Sequence, residues 1–176
     1  IQVLIESGLL ADLRDRKIAE VDRNEFRKLL GLNALNVYRV TVNYDLGVEK
    51  AIKAGKYDRF NDDISSKNFP TKRSGTAEVD IELVHFGRDM NTDEVLAELD
   101  KRGLRPAELH ELLKLGEKFP DLQREFPIIA LGSIWQDSDG DRRCPCLDRD
   151  GSRRRLYLFW IDHSWGGGCR FAALRK

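Results

Sequence analysis

Little in this 176-residue chain is extreme, and what is scarce excludes whole classes of protein. There are three cysteines (Cys144, Cys146 and Cys169), an odd number and far too few for a disulfide scaffold. Neither charge is in excess, since 30 Lys and Arg balance 30 Asp and Glu. A dedicated nucleic-acid binder carries a basic surplus, so no nucleic-acid partner is expected. No apolar run approaches the roughly 18 to 20 residues that cross a bilayer, so no membrane insertion is expected. No basic stretch followed by an apolar one marks a secretory signal. With 41% hydrophobic and 34% charged residues, the composition is that of a soluble globular protein, and a cytoplasmic one is the expectation.

A local absence is sharper than any global one. Residues 137–175 contain no Lys, Glu, Gln or Met, although these four types supply 26 of the first 136 residues. Charge in this tail is carried by six Asp and eight Arg alone. Local codon bias is the plain explanation; pressure on particular codons is the other.

Periodicity gives the order of elements. Leu9, Leu10, Leu13, Ile18 and Val21 fall at helical spacing, and Asp22 to Glu25 has the form of a capping box before a second short helix. Val37–Asn43 alternates as a strand, and Leu46–Ala54 reads as a helix closed by Gly55. Residues 57–75 read as an irregular connection packed by its own aromatics. Ala77–Phe86 alternates as a half-buried strand. Asn91 and Glu94 open a helix that Gly103 ends, and Pro106 stands in the first turn of the next, through Leu115. Four strands follow: Ile128–Trp135, Arg142–Leu147, Arg153–Ile161 and Cys169–Arg175. The order is strand, helix, helix, then four strands.

Few residues offer chemistry. Asp137-x-Asp139-Gly-Asp141 begins like a calcium loop, but positions six and twelve hold Arg142 and Asp148, so a polar hairpin turn is the better reading. Cys144 and Cys146 are one residue apart, share a strand face and lack a second pair at zinc-site spacing, which makes them core thiols. His85, His110 and His163 are scattered. Asp162, His163 and Ser164 are the residue types of a triad, but adjacent residues cannot form one. Gly166 to Gly168 lacks the Lys and helix of a phosphate loop. Arg153 to Arg155, interleaved with Asp, reads as a solvated face. No catalytic residue, metal or cofactor is expected. Strand 153–161 is bulky on both faces: Leu156, Leu158 and Trp160 on one, Arg155, Tyr157, Phe159 and Ile161 on the other. Exposed aromatic and Arg clusters are the types that carry binding hot spots.

The strand-helix-helix-four-strand order and the ending Trp165-x-x-x-x-Arg170-Phe171-Ala172-Ala173-Leu174-Arg175-Lys176 resemble the C-type-lectin-fold variable proteins of diversity-generating retroelements. The resemblance covers residues 76–176. It implies an α+β, C-type-lectin-like fold there, with an N-terminal helical segment (1–36) and a small α/β extension (37–75) before it. In such proteins mutagenic reverse transcription rewrites the end of the gene at adenines, and the diversified surface binds varied ligands without catalysis. Randomised Asn codons cannot yield Glu, Lys, Gln, Met or Trp, which meets the composition of the tail. The implied variable region is about 153–169, with Arg155, Tyr157, Phe159, Ile161, Asp162, His163, Ser164, Gly166, Gly167, Gly168 and Cys169 as displayed ligand-binding positions. Trp160 and Trp165 read as fixed scaffold. The implied partner is an unknown protein or surface ligand. Two alternatives stay open: an enzyme of the formylglycine-generating type using Cys144 and Cys146, and an oligomerisation module using Tyr157 and Phe159. The fold implies pairing of Ala77–Phe86 with Cys169–Arg175. Apolar strand faces put Trp135, Leu156, Leu158, Trp160 and Phe171 inside, and Gly167→Ser is expected to be mild.

Overall fold

The computed structural model describes residues 36–176, so the helices expected over 1–36 lie outside the described residues except at Asn36. Strands form where β-branched and aromatic residues alternate with charge. They are β1 (Val37–Asn43), β2 (Arg59–Phe60), β3 (Thr76–Val84), β4 (Leu104–Pro106), β5 (Ile128–Ile129), β6 (Trp135–Gln136), β7 (Arg142–Asp150), β8 (Arg153–Trp160) and β9 (Arg170–Arg175). The helices are α1 (Val48–Gly55), α2 (Thr92–Lys101), α3 (Leu109–Lys118) and the single turn α4 (Leu122–Glu125). The architecture is α+β, with one large sheet in the order β1-β3-β9-β5-β7-β8-β2; β4 also pairs with β9, and β6 with β7.

The pairing expected between the first and last strands of 76–176 is present. β3 and β9 run antiparallel, with Glu82 opposite Ala173 and Val84 opposite Phe171. Because side chains alternate along a strand, neighbouring apolar residues feed two different cores. Leu83, Ile128, Leu147, Leu156, Leu158 and Ala172 pack with Val48 and Ile52 of α1 and Leu109, Leu112 and Leu113 of α3. Val84, Ile129, Cys144, Cys146 and Phe171 pack with Val95 and Leu99 of α2. The sheet is covered on both faces at β7, whose Leu147 enters one core and Cys144 and Cys146 the other.

Several boundaries depart from the periodicity. Ile128–Trp135 is not one strand but the short β5 and β6, separated at Gly132, whose N–H donates to the Ala107 carbonyl. Pro106 closes β4 rather than opening a helix, since its neighbours pair with β9. The first described helix starts at Val48, and Lys56, not a glycine, takes the left-handed conformation after it. Gly55 is needed for close approach instead: a Cβ there would lie 2.4 Å from the Tyr57 ring, and one on Gly116 would lie 2.4 Å from the Tyr57 hydroxyl. Two aromatics of 57–75 therefore pack on the body of the domain rather than on each other, Tyr57 between two helix ends and Phe69 in the core against Trp135, with ring centroids 6.4 Å apart. Residues 37–75 also supply both outermost strands of the sheet, β1 and β2.

Two buried polar knots hold these parts together. Arg154, expected on a solvated face, is 6% exposed. Its guanidinium donates to the carbonyls of Gly55 (2.8 Å), Lys56 (3.4 Å) and Gly116 (2.7 Å) and to Gln123 Oε1 (3.1 Å). Gly55 and Gly116 lie in the last turns of α1 and α3, where carbonyls lack helical partners and the helix dipoles place negative charge. Burial lowers the guanidinium from its ordinary value, and Tyr57, with its ring centroid 4.9 Å from Cζ, pulls the other way. One cation thus terminates two helices. In the second knot Glu111, wholly buried, accepts from Arg105 (2.6 and 3.1 Å), Tyr44 Oη (2.7 Å) and the Glu108 N–H (2.7 Å). Burial alone would raise this carboxyl, but these donors outweigh it and hold it below its ordinary value.

Arg154→Met should therefore cost about 3 to 5 kcal/mol in urea melts, because it strands buried carbonyls, while the exposed neighbour Arg153→Ala should stay within about 0.5 kcal/mol. Glu111 is depressed in the fold, so its contribution is complete above its unfolded pKa and is lost as pH falls through the lower folded value. Melts from pH 7 down to pH 3 should show that acid-side loss, and Glu111→Gln should flatten it.

Candidate functional site

β8 and the loop after it carry the residues singled out by the sequence. Pairing with β7 sets Arg155 opposite Asp148, Tyr157 opposite Cys146 and Phe159 opposite Cys144. Arg155 donates through Nε and Nη2 to both oxygens of Asp148 at 2.9 and 2.6 Å. That bidentate pair raises the guanidinium above its ordinary value, and Cζ lies 5.1 Å from the centroid of the Tyr157 ring. Tyr157 is 41% exposed and meets Phe159 edge-on at 6.2 Å. Phe159 is only partly exposed, because it leans on the core beneath α2. Arg155, Tyr157 and Phe159 thus line one strand face as expected.

Two residues depart from their expected exposure. Ile161 is not displayed beside Phe159. It is 5% exposed and packs into the α2-side core, and its carbonyl accepts from Thr92 Oγ1 at 2.5 Å. Trp160, expected inside, is 41% exposed. It ends the strand opposite Arg143, a polar cross-strand neighbour that offers no apolar cover. There its indole N–H donates to Asp141 Oδ2 at 3.1 Å. The Arg143 guanidinium lies 5.0 Å from its centroid and the His163 ring stacks on it at 5.6 Å. Trp135 is likewise partly exposed, whereas Leu156, Leu158 and Phe171 are buried as expected.

The loop alternates between anchored and open positions. Asp162 is exposed and pairs with Arg142; His163 and Ser164 are exposed. Trp165 is buried, exchanges backbone hydrogen bonds with Met90, donates Nε1–H to Thr92 Oγ1 at 2.9 Å and meets Phe171 edge-on. Gly166 and Gly168 face open space, with no neighbouring atom within 4 Å of where a Cβ would stand on either. Gly167 is pinned: its N–H donates to Asp89 at 2.9 Å and its carbonyl oxygen lies 2.8 Å from His85 Nε2. A Cβ on it would lie 3.0 to 3.2 Å from the backbone of Gly87 and Arg88, so the mild effect expected for Gly167→Ser does not fit this geometry. Cys169 is half-buried, and burial pushes its thiol up.

The other candidate chemistry resolves into structure. Cys144 and Cys146 are buried in the α2-side core, and burial pushes both thiols well above their ordinary value. Asp137 accepts the N–H groups of Asp139 and Asp141 and pairs with Arg143 at 2.7 Å, which builds the hairpin turn. Among the described residues, no three His, Cys, Asp or Glu side chains converge on a metal-sized site. No helix among them is long and apolar enough to cross a membrane.

Periodicity gives no sign of the neighbours that β8 acquires from residues 58–62. β2 pairs with it in parallel, Arg59 opposite Arg155 and Phe60 opposite Leu156, and leaves Phe60 50% exposed. A lone Phe among charges is the only local signal; the pairing spans too much sequence for a repeat to reveal it. Comparison with family models, with curated proteins and with solved structures finds no match to this chain.

The two tryptophans should separate in urea melts. Trp165→Ala should cost about 3 to 5 kcal/mol, as for a large aromatic removed from a core, and Trp160→Ala clearly less. Gly167→Ser, which must displace the backbone of residues 87–88, should cost about 1 to 3 kcal/mol, whereas Gly166→Ser should stay within about 0.5 kcal/mol.

Proposed function

We propose that this chain is a non-enzymatic binding protein that presents a diversified ligand surface on a C-type-lectin-like scaffold, of the kind made by diversity-generating retroelements. One coincidence carries the reading. Six open positions of β8 and its loop (Tyr157, Asp162, His163, Ser164, Gly166 and Gly168) hold residues that adenine randomisation of Asn codons reaches, with Trp160 the exposed exception. Trp165, which holds the loop down, is a residue it cannot reach. The antiparallel β3–β9 closure and the absence of Lys, Glu, Gln and Met from residues 137–175 support the same reading. Ile161 and Gly167 are reachable types in anchored places, and they are scaffold under this proposal. Trp160 is exposed but unreachable, which makes it a constant aromatic within a changing surface.

The formylglycine-generating alternative needs accessible or metal-bound thiolates. Cys144 and Cys146 are buried among apolar side chains with their thiols pushed up, the reverse of what activates a cysteine. The oligomerisation alternative would use Tyr157 and Phe159, and light scattering of the wild type against Tyr157→Ala tests it directly.

Two measurements test the proposal. Sequencing the gene's neighbourhood should show a near-copy of the codons for residues 150–176, differing at adenines and lying beside a reverse transcriptase. A locus without such a copy would overturn the retroelement origin. A library randomised at the six open positions should keep its melting temperature within a few degrees in most members and yield binders to unrelated proteins. General loss of folding would overturn the display role.

A further inference from the structure

The parallel pairing of β2 with β8 creates an open depression of about 440 Å³, lined by Asp58, Arg59, Phe60, Asp62, Arg155 and Tyr157. Only two of these residues belong to the variable region; the other four come from the segment before β3. Its charges are unequally committed. Arg155 is neutralised bidentately by Asp148, and Arg59 lies 3.7 Å from Asp150. Asp58 Oδ2 accepts one backbone N–H, from Arg154, and Asp62 is exposed with no partner among the described residues. The spare capacity of the depression is therefore anionic, and it stands beside two exposed rings, Phe60 and Tyr157.

Carboxylates beside exposed aromatic faces suit a cation on an apolar stem, because the stem covers the ring while the charged head meets the carboxylate. An anion would meet guanidiniums already engaged. We infer that the recognition surface is composite, and that constant residues Phe60 and Asp62 complete a subsite with Tyr157 for a Lys or Arg side chain of a protein ligand. This rests on reading β8 as a recognition surface, but not on how its variation arises. The retroelement origin can fail at the locus while the subsite stands, and the reverse.

NMR titration of the 176-residue chain with Nα-acetyl-arginine methylamide tests it, with Nα-acetyl-glutamate methylamide and inorganic phosphate as controls. The arginine probe should shift the amides around Phe60, Asp62 and Tyr157 saturably, and added salt should weaken the effect. Asp62→Asn and Phe60→Ala should each weaken it by about threefold or more, while Asp93→Asn, which removes an exposed carboxylate on α2 outside the depression, should not. The exposed Asp62 makes its variant safe for folding, so the test survives if Phe60→Ala loosens β2. Shifts produced by phosphate or the glutamate probe instead would overturn the inference. So would arginine-probe shifts that are unchanged in Asp62→Asn.

Discussion

A sheet can present a surface only if its outer strands are held, and here the holding is done by the buried guanidinium of Arg154. β8 lies one strand from the sheet's end, with the two-residue β2 beyond it. Arg154 ties β8 inward to the last turns of α1 and α3 and to Gln123, whose amide donates in turn to the carbonyls of Asp148 and Arg155. A buried cation without a carboxylate partner is ordinarily costly. This one is offset by the partial charge of two helix ends and by the Tyr57 ring, geometry that an ammonium could not match. Gly55 and Gly116 follow from it, because any larger residue would push Tyr57 off the guanidinium.

Much of the local structure is legible in the sequence because it is written in periods of two and of 3.6. β1, β3, α2 and β8 lie within two residues of where alternation and capping put them, and the Asn91–Glu94 box forms as read. What periodicity misses is tertiary. Arg154 looks like surface because charge next to Asp usually is; only the meeting of α1, α3 and β8 makes it interior. Trp160 looks like core because alternation is blind to where a strand runs out of cover. Ile161 keeps the side of Phe159 but is buried there, because that end of the face is covered by the α2-side core and Thr92. Gly167 carries no sequence mark distinguishing it from Gly166 and Gly168; its constraint comes from the backbone of residues 87–88. Phe60 becomes part of the surface through a parallel pairing that no local pattern announces.

The loop between β8 and β9 shows how a surface can be irregular without being loose. Ile161, Trp165 and Gly167 are each fixed to the body, through Thr92, Met90 and Asp89 respectively. Between these pins lie short runs of open positions, Asp162 to Ser164, Gly166 and Gly168. No run exceeds three residues, so little conformational freedom would remain to be lost if a partner bound there. The backbone is set by the pins, and the character of the surface by the residues between them.

β2 has a consequence beyond the residues it contributes. A strand bearing Tyr157, Phe159 and Trp160 with an open edge would be a template for cross-chain strand pairing and aggregation. β2 occupies part of this edge with backbone hydrogen bonds: Asp58 and Asn61 donate to the carbonyls of Arg154 and Leu156, whatever side chains β8 carries. It does so with a strand too short to recruit another and flanked by Asp58, Asp62 and Asp63. Under the display proposal, resistance to self-association would in this way be partly uncoupled from the side chains of β8, because the edge is held by backbone hydrogen bonds.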